Sequence, residues 1–245
     1  MARKTAADLR GPQKGLQGLT EAVTARARKG SWASVGVDTS LTAISACGVG
    51  YDALKGKMVG PSYGEIRWAP ETEYMARLGL AAKGHELILD VLKDLWVVEI
   101  SRVGIAIEEP FPFGMLKKMQ SEWIKQQCEI AGAFKGALVR WGFPVIYEIN
   151  NSQWKKTIRD EGVTIRKMPD GKFDVKDWAI QAMGLPDLPD LVKNQDGAKI
   201  PRPESGYGAN AKAVQPSDVY DAAAVCAWMT DLITSGGSVI DVETE

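Results

Sequence analysis

Four carboxylates carry the chemical signal in this sequence: Asp38, Glu108, Asp218 and Asp221. Asp38 falls inside the run Ser34 to Ala46, whose small and β-branched residues suit a buried strand. A carboxylate among Val35, Val37 and Ile44 is costly there unless it is paired or bound to a metal. Glu108 follows the compact apolar run Val103 to Ile107 and is itself followed by Glu109. Asp218 and Asp221 stand three apart at the start of a helical stretch, which puts them on one face, and Ala222, Ala223, Ala224 and Val225 mark that face as close to the core. Acids from two strand ends and one helix start can converge on divalent cations. Oxygen-only ligands select Mg²⁺ or Mn²⁺, and two such ions about 3.5 to 4 Å apart activate water and stabilise a leaving oxygen in phosphodiester hydrolysis. Taken singly, each acid has a plainer reading, since Glu108 and Glu109 can simply stop a strand and Asp at a helix start is favoured by the macrodipole. Their order and spacing together carry the argument.

Composition narrows the field. A chain of 245 residues, 45% hydrophobic and 25% charged, buries one substantial core without needing several domains. His85 is the single histidine, so His-rich metal sites and paired His acid/base schemes lack the residues they need. Cys47, Cys128 and Cys226 are odd in number, widely separated and set among apolar or small neighbours, and are expected to be reduced core residues. There is no apolar run of membrane-spanning length and no apolar stretch at the start, so a soluble cytoplasmic protein without membrane partners is expected. The net charge of -1 conceals a segregation. Residues 1–30 hold seven Lys or Arg against two acids, residues 110–176 hold twelve against seven, and residues 217–245 hold six acids and no base. Basic walls beside a carboxylate pocket would look like this, although charge runs are more often solvated faces.

The elements that must position these acids follow from periodicity. Residues 1–30 read as a flexible basic arm, residues 31–235 as the folded domain, and residues 236–245 as an acidic tail. After the strand through Asp38, Cys47 to Tyr51 continues toward a second strand and Gly64 to Trp68 forms a third. Glu71 to Trp96 has the apolar spacing of one helix of about six turns. Val103 to Ile107 is a strand, and Met119 to Trp141 is a helix with Ile124, Cys128, Ala131, Phe134 and Leu138 on one stripe. Its small residues Ala131, Gly132, Ala133, Gly136 and Ala137 would admit a close neighbour. Phe143 to Ile149 is a strand, and Val175 to Met183 is a shorter helix stopped by Gly184 and Pro186. Residues 186–216 read as an extended surface loop. A helix over Ser217 to Ile233, with Ser217 as N-cap, closes a mixed α/β layered domain.

Gly36-Val37-Asp38-Thr39-Ser40 resembles the first-strand motif of the RuvC-like Holliday junction resolvases. Ala106-Ile107-Glu108-Glu109-Pro110-Phe111 resembles their central acid motif, and Ser217-Asp218-Val219-Tyr220-Asp221-Ala222-Ala223-Ala224 their terminal helix motif. Between them, Ile149-Asn150-Asn151-Ser152-Gln153-Trp154-Lys155-Lys156 is similar to the segment that carries a lysine after a strand. The resemblance spans roughly residues 34 to 233 and is specific in order and spacing. It implies an RNase H-like fold, a mixed five-stranded sheet flanked by helices, in a homodimer. It also implies Mg²⁺ dependence, with two ions and Mn²⁺ as a substitute, and symmetric nicking of four-way DNA junctions to leave 5′-phosphate and 3′-hydroxyl ends. Carried over residue by residue, Asp38, Glu108, Asp218 and Asp221 would be metal ligands, with their separate roles undivided. Phe111 would stack on unpaired junction bases, or be an ordinary core or loop Phe. Lys155 would contact the scissile phosphate, with Lys156 as the alternative one residue on. A second lysine falls before the next helix, where Lys172 fits the register better than Lys176. The basic arm, the loop 186–216, the doubled acid Glu108-Glu109 and the acidic tail depart from compact bacterial resolvases and point to a divergent, phage-encoded branch.

Other classes share this order of acids. Branched-DNA debranching enzymes, RNases H and transposases differ in substrate more than in active-site residues. A structure-specific DNA-binding protein with a decayed site is disfavoured because all four acids are present. The sugar-kinase and actin-like ATPases share an early strand with Asp followed by Thr or Ser, but they need a second Gly-rich phosphate loop that this sequence does not supply.

Overall fold

The chain reverses at Ser40, and this turn fixes where the first acid ends up. Ser40 Oγ accepts hydrogen bonds from the backbone N–H of Thr42 (3.3 Å) and Ala43 (3.0 Å), and the Ser40 N–H donates to the Ala43 carbonyl (2.8 Å). A hydroxyl that collects nearby amides in this way is turn chemistry. The run expected as one strand over Ser34 to Ala46 is therefore a hairpin of β1 (Trp32–Thr39) and β2 (Ala43–Asp52), paired antiparallel. The computed structural model describes residues 31–69, 71–95, 100–110, 122–143, 145–160, 166–167, 173–188, 191–193, 199–201, 213–214 and 217–236. The arm 1–30, Phe111, Lys172 and the tail 237–245 lie outside the described residues.

β3 (Lys57–Arg67), longer than the short strand expected near Gly64, pairs antiparallel with β2. β4 (Val103–Glu108) pairs parallel with β1, and β5 (Val145–Ile149) parallel with β4. The result is the expected mixed five-stranded sheet, in the order β3-β2-β1-β4-β5. Parallel neighbours need long crossovers, and helices on both faces cover the sheet, so its central strands are largely buried on both sides.

One face carries Ala33, Val35, Val37, Ile44, Ala46, Val103, Ile105 and Ile107, all buried. Helices α1 (Tyr74–Ala81), α2 (Gly84–Asp94) and α3 (Glu122–Arg140) provide its cover, through Leu87, Ile88, Val91, Leu92, Ile130, Phe134 and Leu138. The single helix expected over Glu71 to Trp96 is thus two helices. The break before Gly84 brings that backbone against the Phe134 ring, where a Cβ would overlap the ring atoms, so tertiary packing overrides an unbroken apolar period. On α3, Cys128 is exposed and leaves the buried stripe to which its spacing assigned it, whereas Cys47 and Cys226 are buried as expected. A Cβ on Gly132 or Gly136 would meet nothing within 4 Å, so among the described residues no neighbour uses that close approach.

The other face is covered by α4 (Asn151–Asp160), by a helical turn α5 (Lys176–Trp178) running on as a π-helical turn over Ala179–Met183, and by α6 (Ser217–Ser235). Gly184, in the left-handed conformation at φ 73°, stops the π turn as expected. The segment expected as a long loop between 186 and 216 includes three short strands, β8 (Leu191–Lys193), β9 (Lys199–Pro201) and β10 (Ala213–Val214), in a small sheet of order β10-β8-β9. A further pair, β6 (Arg166–Lys167) and β7 (Phe173–Asp174), precedes α5. Two- and three-residue strands carry too few apolar residues to show a period of two, which is why composition alone reads as loop.

Candidate active site

The site is built where α6 crosses β1. Ser34, Gly36 and Asp38 share one face of β1, because successive strand side chains alternate. On α6, Asp218, Ala222, Cys226 and Thr230 stand four apart and form one stripe. Ser34 Oγ and Thr230 Oγ1 are 2.6 Å apart, both buried. Thr230 donates its hydroxyl proton to the Cys226 carbonyl (2.9 Å), so Ser34 is the donor of the pair. The Cys226 thiol in turn donates to the Ser34 carbonyl (3.4 Å). Two residues further along β1, a Cβ on Gly36 would land on the backbone of Ala222 and Cys226, with the Cys226 Cα at 2.7 Å. Only glycine lets a helix backbone lie directly on the strand here.

The two elements run in opposite directions and keep step. Two strand residues advance about 6.6 Å, and four helix residues about 6 Å. The rung after Ser34–Thr230 and Gly36–Cys226 therefore brings Asp38 to the turn of α6 that begins at Asp218 and contains Asp221. In the sheet, Val37 pairs with Ile107, so Glu108 is the next residue beside Asp38 in the parallel ladder. All four acids predicted from the sequence lie at this one end of the β1–α6 contact. All four are intermediate in exposure.

Two further charged residues belong to the same place and were not anticipated. Asp38 pairs with Ser45 on β2, and Ser45 with Glu65 on β3, so Glu65, Ser45, Asp38 and Glu108 form one row across the sheet. Ser45 Oγ is buried and has no hydrogen-bond partner among the described residues. Arg67, two residues on from Glu65, forms ion pairs with both Glu65 and Asp218, the latter at 3.6 Å. Its side chain is 19% exposed, against 22% for Glu65 and 13% for Asp218. Glu65 and Arg67 lie in the strand expected over Gly64 to Trp68, but only the register of β3 shows that they reach this row.

On the other flank, Asn151 at the start of α4 donates from Nδ2 to Glu108 Oε1 (3.0 Å). Burial raises the Glu108 carboxyl above its ordinary range, while the Asn151 hydrogen bond and the charge of Lys155 act in the opposite sense. Lys155, one turn along α4, lies with Nζ 4.8 Å from the centre of the Trp154 ring. Of the two lysines predicted here, Lys155 is the one electrostatically linked to an acid of the site, and Lys156 is exposed. Lys176 pairs with Asp187 at 2.5 Å at the base of the segment that follows the π turn, and so ties that segment down.

Among the described residues, no group of three or more His, Cys, Asp or Glu side chains is close enough to hold a metal ion. A guanidinium pairs with two of the carboxylates instead. The donor chemistry still fits a hard cation: oxygen donors, a partly buried row of acids and one cationic side chain among them. No helix of the described residues is long and apolar enough to cross a membrane.

No protein-family model matches the chain, and no curated protein is significantly similar to it. Solved structures are. The structure of Thermus thermophilus RuvC matches with a TM-score of 0.51 at 17% identity, covering 83% of this chain and 96% of that one. The same protein in complex with a Holliday junction substrate matches with a TM-score of 0.51 at 16% identity, covering 84% and 96%. At such identities the likeness concerns the backbone: the chain has the RNase H-like fold found in RuvC.

Proposed function

We propose that this protein is a divalent-metal-dependent endonuclease that resolves four-way DNA junctions and acts as a homodimer. The single observation that carries the proposal is the β1–α6 register. It brings Asp38, Glu108, Asp218 and Asp221 to one end of the sheet although they come from three separated segments. The fold likeness supports the substrate class, because one of the matched RuvC structures holds a Holliday junction.

In this reading Asp38, Glu108, Asp218 and Asp221 hold Mg²⁺, or Mn²⁺ in its place. When bound, such ions supply Lewis-acid stabilisation of the charge that develops on the scissile phosphate, and they make water nucleophilic near neutral pH. The chain's own residues do the rest. Asn151 holds one oxygen of Glu108 in a fixed direction. Lys155, one turn further on, supplies positive charge next to Glu108 and orients the phosphate. Lys156, Lys172 and Lys176 add backbone-directed charge, and Phe111 stacks on an exposed base.

Cleavage of a labelled synthetic four-way junction, beside matched duplex, flap and RNA/DNA hybrid, tests the proposal with Mg²⁺ and with EDTA. Paired nicks confined to the junction and abolished by EDTA are expected. Broad cutting of branched DNA would make it a debranching nuclease, and cutting of the hybrid alone would make it an RNase H. Binding without cutting would leave a structure-specific DNA-binding protein. Sedimentation should give about twice the 26.6 kDa chain mass.

A further inference from the structure

Arg67 is a basic group at the site that neither the acid motifs nor the lysine segment accounts for. It lies at the end of β3, two strands away from Asp38, yet its guanidinium pairs with Glu65 on its own strand and with Asp218 at the first turn of α6. All three side chains are less than a quarter exposed. The row they border holds Asp38 and Glu108 as well, and Asp221 lies on the same turn as Asp218. Like charges brought this close in a partly desolvated place repel one another unless a cation lies among them. An arginine side chain cannot relieve the conflict by losing its proton, so it remains a fixed positive charge. Ser45 Oγ is buried in the same row without a hydrogen-bond partner among the described residues.

We infer that Arg67 is a resident counter-cation: it neutralises Glu65 and Asp218 in the metal-free protein and gives up Asp218 when a divalent ion binds. This rests on the metal-site reading above and deepens it. Ion and guanidinium then compete for one carboxylate, and Arg67 sets how tightly metal is held as well as how stable the empty site is. Glu65 retains the guanidinium when Asp218 turns to the ion, so the charge stays close to the phosphate without a large movement of the strand.

The test is Mn²⁺ binding, followed by the loss of the free-ion EPR signal, together with thermal unfolding of the full chain with and without Mn²⁺, for wild type, Arg67→Met and Arg67→Lys. Arg67→Met should bind Mn²⁺ about 10-fold more tightly, in the range of couplings between neighbouring charges. It should unfold at a lower temperature than wild type when metal-free and gain more from Mn²⁺, while Arg67→Lys, which keeps the charge, should stay near wild type. Equal destabilisation of Arg67→Met with and without metal, at unchanged Mn²⁺ affinity, would overturn the inference and leave a purely structural ion pair. Unchanged Mn²⁺ affinity with weakened junction binding would also overturn it and make Arg67 a phosphate contact. Wild type that binds Mn²⁺ normally in either case keeps the metal site intact; absence of Mn²⁺ binding in all three proteins would remove the metal site and this inference together.

Discussion

Ser34 on β1 donates a 2.6 Å hydrogen bond to Thr230 on α6, and this buried pair sets the register that carries Asp38 to the Asp218 end of the helix. Both hydroxyls are far from the acids, yet they decide which turn of α6 faces which residue of β1. Neutral buried pairs of this kind contribute little net stability, but a lone survivor is expensive. Thr230→Val should therefore cost about 1 to 3 kcal/mol by denaturant unfolding, because the Ser34 hydroxyl is left buried. Ser34→Ala should cost less, since Thr230 keeps the Cys226 carbonyl. The double variant should be less destabilised than the sum of the two, and simple additivity would show that the pair is not coupled.

Gly36→Ala tests the closeness of the same crossing. The added methyl would meet the backbone of Ala222 and Cys226, which cannot rotate away. A loss of roughly 3 kcal/mol is expected, on the order of 10 °C in Tm for a chain of this length. A neutral Gly36→Ala would mean that α6 lies further from β1 than described.

Asp38→Asn removes a ligand charge and almost no volume. Junction cleavage should fall to background while junction binding in a gel-shift assay stays within a few-fold of wild type, because phosphate contacts come from the basic residues. Retained cleavage would remove Asp38 from the site.

Burial of Glu108 has a consequence for stability. Its carboxyl is raised in the folded protein, so the charged form is disfavoured relative to the unfolded chain. The penalty is absent below the unfolded value, about pH 4. It grows as pH rises from there to the folded value and is fully present above it. In EDTA at neutral pH, Glu108→Gln should thus melt higher than wild type, with the advantage vanishing as the pH is lowered toward 4, although cleavage is lost. A Glu108→Gln protein that is less stable at every pH would show that hydrogen bonding outweighs desolvation.

Asn151 opposes that upward shift by donating to Glu108 Oε1. Asn151→Ala should move the acid limb of the cleavage pH profile to higher pH and weaken metal affinity by about 10- to 100-fold, the usual effect of removing a group that orients a ligand. An unmoved acid limb would separate Asn151 from the chemistry.

The acids themselves, their order and their membership of strand ends and one helix start are legible in the sequence. A carboxylate within an apolar run and two acids three apart on a helix are local patterns, and local patterns need no tertiary information. The separate strands are legible for the same reason, apart from the hairpin turn at Ser40, whereas their union in one five-stranded sheet is what the family resemblance implies. At that turn a hydroxyl gathers two amides and reverses the chain within a run of small and β-branched residues that reads as one strand. Tertiary structure alone decided the split of one long apolar period into α1 and α2, forced by Phe134 against Gly84, and the exposure of Cys128. It alone decided that Glu65 and Arg67 border the same row as Asp38, because cross-strand register depends on pairing between distant segments. The identity of a chemical group is written residue by residue, but which groups share a place depends on how one element steps along another, and that is fixed by contacts such as Ser34 with Thr230.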